Sequence, residues 1–594
     1  MKELLTLVPY LRPYRVRIAI GLLMVIVANA LSLAAPFLIR EAIDAIGQPG
    51  VDRRIIIRFA GLILISALIG GAARYVMRQL LNGVSRYVEL DLRNRFFEHL
   101  LRLDASFYGS TQTGEIMSRA TNDISAVRMV AGPAYMYLIN TIVISVFALT
   151  LMVWIDPLLT LVAMLPMIAL PPITIGFGNL IHRRFEAIQE QFGTLSTMVH
   201  ENLAGVRIVK AYGQEERQIE RFRGLAGEYM ERNLSLARVS GLFHPLLGLF
   251  AGGAMVVVLL IGGRSVMNGG MSIGDFVAFM LYLGMLTWPM IALGWVVSLF
   301  QRGAASMRRL NTIFATEPLI SDQVGRQRHE IRGAVEFRNV SFRYPGTSRD
   351  VLHDLSFEVP EGGMLALVGA TGSGKSTLVN LIVRLYDPTA GEILLDGRPI
   401  QSISLHELRS AIGVVPQDSF LFSESIRQNL SIGFAEPSPA AADTRIREAA
   451  AVAQLDKTIS DLPSGYETLL GERGVNLSGG QKQRATIARA IARDPKVLVL
   501  DDALSAVDTH TEAEILRGLR TVFRERTSII VSHRVSAVMG ADLILVLEEG
   551  RVVEQGSHEE LVRSGGVYAK LLRRQLLAEE VGDESVLARP DSQI

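Results

Sequence analysis

Cysteine is missing from this sequence, so disulfides and thiolate metal sites are excluded. Net charge is nearly missing too. The 60 Lys and Arg against 59 Asp and Glu leave a formal +1, which gives no support to a nucleic-acid partner. Charge of either sign is scarce, at 20% against 49% hydrophobic residues, and the mean hydropathy of +0.30 is high for a wholly soluble chain. The scarcity is local: up to about Ser298 long apolar runs dominate, and from about Val335 the composition is that of a soluble α/β protein. No acidic residue stands near the middle of an apolar run, so a proton or metal-ion pathway is not expected. Met1-Lys2-Glu3 continues into Tyr10-Leu11-Arg12-Pro13-Tyr14 without a small-residue cleavage site, and no removable signal peptide is expected.

Six apolar runs can each cross a hydrocarbon core of about 30 Å, which takes about 20 helical residues. They lie near residues 18–38, 59–77, 136–154, 158–177, 245–262 and 276–297. Buried helices of a large soluble protein are the alternative, but apolar runs of this length are rare outside membranes. Polar positions within or near the runs are few: Asn29, Asn140, Thr287 and Arg74. The sixth run carries Met280, Met285, Met290, Trp288 and Trp295, a bulky surface that suits promiscuous contacts or packing against lipid. Pro289 offers a kink.

The second-to-third and fourth-to-fifth connections are each longer than fifty residues and rich in Arg. Arg86, Arg93, Arg95, Arg102, Arg119 and Arg128 stand in one; Arg183, Arg184, Arg207, Lys210, Arg217, Arg221 and Arg223 stand in the other. The positive-inside rule puts both in the cytoplasm with the N-terminus, and Arg40, Arg53 and Arg54 in the first loop dilute the bias without reversing it. Both connections read as helical rods reaching about 40 Å past the membrane. Glycines at the tips, in Phe107-Tyr108-Gly109 with Gly114 and in Ala211-Tyr212-Gly213, are expected to reverse the chain into short transverse helices.

In the second half, Gly369-Ala370-Thr371-Gly372-Ser373-Gly374-Lys375-Ser376 is a phosphate loop between an apolar strand and a helical pattern over 377–385. Its backbone N–H groups and the helix N-terminus suit phosphate oxygens, Lys375 the β- and γ-phosphates, and the Ser376 hydroxyl Mg²⁺. Val497-Leu498-Val499-Leu500-Asp501 is a buried apolar strand ending in a carboxylate, the arrangement that delivers Asp501 to the same Mg²⁺. Strand and helix patterns alternate from Val335 to about Leu572, as in a sheet covered by helices.

About a hundred residues after the phosphate loop stands Leu477-Ser478-Gly479-Gly480-Gln481. With this segment the chain resembles the ATP-binding cassette (ABC) ATPases over nearly its whole length, in the exporter class with six spans followed by one cassette. The resemblance implies a multidomain membrane protein: an all-α six-helix transmembrane domain over 1–315, a linker over 316–332, an α/β P-loop (RecA-like) ATPase over 333–575, and an acidic mobile tail over 576–594. It implies ATP and Mg²⁺ as cofactors and an inner-membrane location with the N-terminus and cassette cytoplasmic. Residue by residue, Tyr344 matches the aromatic that stacks on adenine, and Thr371 and Thr377 stand within the phosphate-binding segment. Gln417 matches the glutamine at Mg²⁺ and the attacking water, and His533 the histidine at the γ-phosphate. Ser505-Ala506-Val507-Asp508 matches the loop crossing the dimer interface, and Gly471-Glu472-Arg473-Gly474 the loop that meets intracellular helices. In the family two chains form the unit, each ATP lying between one chain's phosphate loop and the other's Ser478-type signature, and the region of Tyr212 docks on the partner's cassette.

One position departs from the family. Most members have glutamate after the aspartate of the second strand, acting as general base; here it is Asp502. A general base needs a reach of about 2.6–3.2 Å, and a misplacement of about 1 Å can cost roughly a hundredfold. Asp502 therefore predicts a slow site, as in one member of a heterodimer whose partner supplies the competent base. The reading is ATP-driven export of a drug, lipid or peptide. The alternatives are a homodimer with two equal sites, an ATP-gated membrane regulator, and a non-transporting ABC ATPase, which the six runs argue against.

Overall fold

A computed structural model of the chain describes residues 2–48, 52–322, 330–433 and 439–587, with the side chains of 439, 509, 536 and 578–587 outside that description. The chain divides into two compact units: Met1–Leu101 with Thr113–Thr316, and Arg102–Gln112 with Glu317–Ile594.

The first unit is helical. Its main elements are α1 (Arg15–Ile46), α2 (Arg53–Arg102), α3 (Tyr135–Ile155), α4 (Pro157–Ile168), α5 (Leu170–Ala204), α6 (Glu215–Met267) and α7 (Ile273–Phe314). Six helical stretches are long and apolar enough to cross a membrane among the described residues, matching the six runs. The 53 residues of α6 span about 80 Å at 1.5 Å per residue, far more than a bilayer core needs. Beyond the apolar runs α5 and α6 lie side by side: Gln191 Nε2 donates to Leu225 O at 3.2 Å, and Arg232 Nη1 to Ala187 O at 2.7 Å. Within the spans the polar positions find each other. Asn29 Nδ2 donates to Asn140 Oδ1 at 2.9 Å and to Val25 O at 2.8 Å, which removes the cost of unpaired amides in an apolar setting.

The fourth run crosses as one stretch, Pro157–Ala204, with Ala169 alone between α4 and α5, where Pro171 and Pro172 lack the N–H that would continue the ladder. Pro289, by contrast, lies inside the uninterrupted α7. One expectation is corrected here. At the tip of the first long connection, glycines do not turn the chain. The short helix Ala105–Ser110 contains Gly109 and is bounded by extended backbone at Asp104 (ψ 173°) and Thr111 (ψ 125°); Gly114 lies inside the next helix, Thr113–Ser118. At the second tip the expectation holds, with Gly213 at φ +59° after the helix Val206–Ala211.

The second unit holds two sheets. Strands β1 (Val335–Phe342), β2 (Leu352–Val359), β4 (Ala390–Leu395) and β5 (Arg398–Pro399) form an antiparallel sheet in the order β2-β1-β4-β5. The other sheet has the order β10-β9-β3-β8-β7-β6, made of β3 (Met364–Gly369), β6 (Ile412–Val415), β7 (Val497–Asp501), β8 (Thr527–Val531), β9 (Leu543–Glu548) and β10 (Arg551–Gly556). All its pairs are parallel except β10 with β9. Strands β7 and β8 are buried at every position, as continuous apolar runs inside a covered parallel sheet must be. The tip Arg102–Gln112 belongs to this unit, where Leu319 N donates to Asp104 Oδ2 at 2.6 Å. Of the linker expected over 316–332, residues 323–329 lie outside the described residues. Of the tail expected from 576, residues 576–587 continue the helix Val567–Leu587, and 588–594 lie outside the described residues.

Candidate ATP site

Strand β3 runs parallel to β8, and β8 to β7, so the carboxyl ends of all three open at one edge, where parallel sheets bind ligands. The phosphate loop leaves β3 there and enters α8 (Lys375–Ile382), with Gly374 as the N-cap. A cavity of about 270 Å³ opens at this edge. Its walls are Thr371, Gly372, Gly374, Lys375, Ser376 and Thr377 from the loop and α8, Gln417 after β6, Asp501 at the end of β7 with Asp502 after it, Val531 at the end of β8 with His533 beyond it, and Val351 before β2.

Lys375 is buried, and its Nζ donates to Gly369 O at 2.9 Å and to Ala370 O at 2.8 Å, with Ser373 Oγ at 3.4 Å. Burial holds this ammonium below the usual lysine range, against the pull of Asp501 and Asp502. Burial also pushes the Asp501 carboxyl above its ordinary value, while a hydrogen bond with Ser376 works the other way. A buried carboxylate beside a hydroxyl fits Mg²⁺, which takes one or two carboxylates and fills its remaining positions with phosphate oxygens and water. No group of three His, Cys, Asp or Glu suited to a metal occurs among the described residues.

Asp502 has φ +48°, a left-handed conformation that aspartate tolerates better than most residues. Its N–H donates to Val531 O at 2.9 Å, and its carbonyl accepts from Ser505 Oγ at 3.0 Å. The backbone at 502 is thereby fixed from both sides.

Tyr344 is not in the cavity wall. Its ring packs edge-on against Phe342 and Tyr386, and its hydroxyl lies 3.0 Å from Thr377 Oγ1. Nor does one chain bring Ser478, Gly479, Gly480 and Gln481 to the cavity. They start α9 (Gly479–Ala492), where Ser478 and Gln481 form a capping box, Ser478 Oγ accepting from Gln481 N at 3.3 Å and Gln481 Oε1 from Ser478 N at 2.9 Å. Sequence reasoning missed Val351, which belongs to no motif, and missed what holds the loops around the site. Arg489, at the far end of α9, donates to Asn429 O at 2.8 Å and to Phe420 O at 2.9 Å, pinning the segment after Gln417.

Residues 18–290 match the description of the ABC transporter transmembrane region, and residues 352–505 that of the ABC transporter ATPase region. The chain is 36% identical, over 96% of its length and 98% of the relative's, to a probable multidrug resistance ABC transporter ATP-binding/permease protein, YheI, of Bacillus subtilis. It is 34% identical, over 98% of its length and 95% of the relative's, to an ATP-dependent lipid A-core flippase of Syntrophus aciditrophicus. A solved bacterial Atm1-family ABC exporter with ATP bound superposes with a TM-score of 0.78 at 31% identity, covering 94% of this chain and 99% of that one.

Proposed function

The chain belongs to the ABC transporter family, as an exporter with spanning region and ATPase fused, and from this premise we propose that it is one subunit of a heterodimer whose two ATP sites are unequal. The chain is an ATPase that uses ATP and Mg²⁺ to drive export, and a multi-pass protein of the inner membrane. The cargo in our reading is a hydrophobic or amphipathic drug, lipid or peptide, with cassette and N-terminus cytoplasmic. Membrane lipid surrounds the spans, and nucleic acid has no part.

The observation that carries the reading is Asp502. A carboxylate one methylene shorter than glutamate loses about 1.5 Å of reach, and the fixed backbone at 502 leaves little room to recover it. The other residues expected at phosphate and metal line the cavity with it. Lys375 would exchange its carbonyl partners for the β- and γ-phosphates, and Ser376 with Asp501 would hold Mg²⁺, which would offset charge on the phosphate oxygens. Gln417 and His533 would orient the water and the γ-phosphate, and the Tyr344 ring, outside the cavity wall, would stack on adenine. ATP therefore binds here and turns over slowly, while Ser478 completes the partner's competent site.

The test is ATP-dependent uptake of a hydrophobic dye or labelled lipid into inverted vesicles. Uptake is expected when this chain is made together with a similar chain carrying glutamate at the position of Asp502. Equal uptake by this chain alone would overturn the heterodimer. Within the same preparation, Lys375→Ala is expected to weaken ATP binding at this chain's site about tenfold, since a charge-assisted hydrogen bond contributes about 1.5–3 kcal/mol; unchanged affinity refutes the role of Lys375.

Tyr212 is 75% exposed at the tip of the second rod. Because the chain has no cysteine, a single Cys at 212 can carry a crosslinker. The crosslink is expected on the partner's ATPase unit; capture of lipid alone would refute the docking of this tip.

A further inference from the structure

Two ATP sites that act as a pair need a tie between the residue at one γ-phosphate and the loop that runs toward the other site. We propose that Arg534 is the positioning residue that makes this tie, locking the segment 505–508 to the loop of His533; the proposal rests on the dimeric reading above. Arg534 follows His533 directly, and its backbone N–H donates to Ser532 Oγ at 2.9 Å. Its guanidinium does two things at once. One nitrogen pairs with Glu512, on α10 (Thr509–Arg524), and the other donates to Ser505 O at 3.3 Å.

Glu512 is 4% exposed, and its other carboxylate oxygen has no hydrogen-bond partner among the described residues. Removing Arg534 would leave a buried charge uncompensated, which is strongly unfavourable. The arginine is therefore held in place by Glu512 and, through it, the Ser505 carbonyl is held as well.

The same loop is gripped from the opposite side by α9. Gln483, itself buried, donates from Nε2 to Ser505 Oγ at 3.1 Å and accepts from Ala506 N at 2.9 Å. A Cβ at Gly480 would stand 2.9 Å from Ala506 O, so only glycine lets the start of α9 lie this close. Ser505 is thus the crossing point: its hydroxyl joins Gln483 to the Asp502 carbonyl, and its own carbonyl joins Arg534. A displacement of His533 on the γ-phosphate must pull on Ser505, and through it on Asp502 and on α9, whose N-terminus carries Ser478.

Lysine can neutralise Glu512, but its donors sit on one nitrogen, whereas Arg534 reaches Glu512 and Ser505 O with two separate nitrogens of a planar fork. Arg534→Lys therefore separates the tie from the fold. The experiment uses the full transporter in lipid nanodiscs, with a nitroxide on a Cys placed at exposed Ala506. Arg534→Lys is expected to leave the melting temperature unchanged and ATP affinity within about twofold of wild type, and to lower kcat by about ten- to a hundredfold, the upper end being the scale of a misplacement of about 1 Å. The nitroxide is expected to lose its immobilised spectral component. Wild-type kcat with an immobile nitroxide overturns the proposal. So does a fall in melting temperature or ATP affinity in step with kcat, which marks Arg534 as structural only. Arg534→Ala, which unpairs Glu512, is expected to lower the melting temperature; an unchanged value also counts against the tie. Hydrolysis by isolated monomeric wild-type chain overturns the dimeric reading and the proposal with it, and is seen before any variant is made.

Discussion

Ser478→Arg is expected to lower the ATPase rate of the assembled transporter by about a hundredfold, the scale of a lost transition-state contact. Ser478 caps α9 by accepting from Gln481 N, and the N–H groups of Gly479 and Gly480 before it, which a helix start leaves without an intrahelical partner, can face an anion. In the proposed dimer that anion is the γ-phosphate held by the partner's phosphate loop. Arginine removes the cap, at a cost of about 1 kcal/mol to the helix, and fills the space the phosphate needs. ATP binding at this chain's own Lys375 is expected to persist, because α9 does not wall that cavity. Ser478→Ala, which loses only the cap, should be milder. Steady-state ATPase together with binding of a fluorescent ATP analogue decides the matter: full turnover in the arginine variant refutes the shared site, and loss of binding at Lys375 shows a collapsed fold.

The second large effect is an asymmetry. In the heterodimer, Asp502→Asn is expected to change turnover less than about threefold, while removing the partner's general base is expected to cost more than about a hundredfold. In the proposed reading Asp502 is too short to hold the water well, so losing its charge removes little. Asp502→Glu should restore the reach and raise hydrolysis at this chain's site, measurable as release of phosphate in a complex whose partner base has been removed. The decisive result is the opposite one. Robust ATPase from this chain alone, abolished by Asp502→Asn, would mean two equal sites in a homodimer.

The features read correctly from the sequence share a cause: each is set by local chemistry. An apolar run of bilayer length can do little else than span. The strands Val497–Asp501 and Met364–Gly369 are legible because a doubly covered parallel strand must be apolar throughout. The phosphate loop is legible because glycine, lysine and serine are each required at fixed offsets. One local signal misled. Gly109 and Gly114 looked like turn residues, but the turn at that tip is made by Asp104, whose side chain caps the short helix.

What the sequence by itself determined is the kind of machine and the short segments, around Lys375, Gln417, Asp501 and His533, that come to line one cavity, because phosphate and Mg²⁺ recognition is written in short contiguous segments. What only the tertiary structure decided is how those segments are held. The order β3-β8-β7, with Asp501 opposite Val531, sets Asp502 and His533 on one cavity wall although they are far apart in the chain. Arg534 meets Glu512 and Ser505 across 22 and 29 residues, and Gln483 meets Ser505 across 22. None of these spacings is a helical or strand period. A buried polar side chain takes whichever partner the packed sheet places within hydrogen-bond reach, and that choice is made by burial and topology.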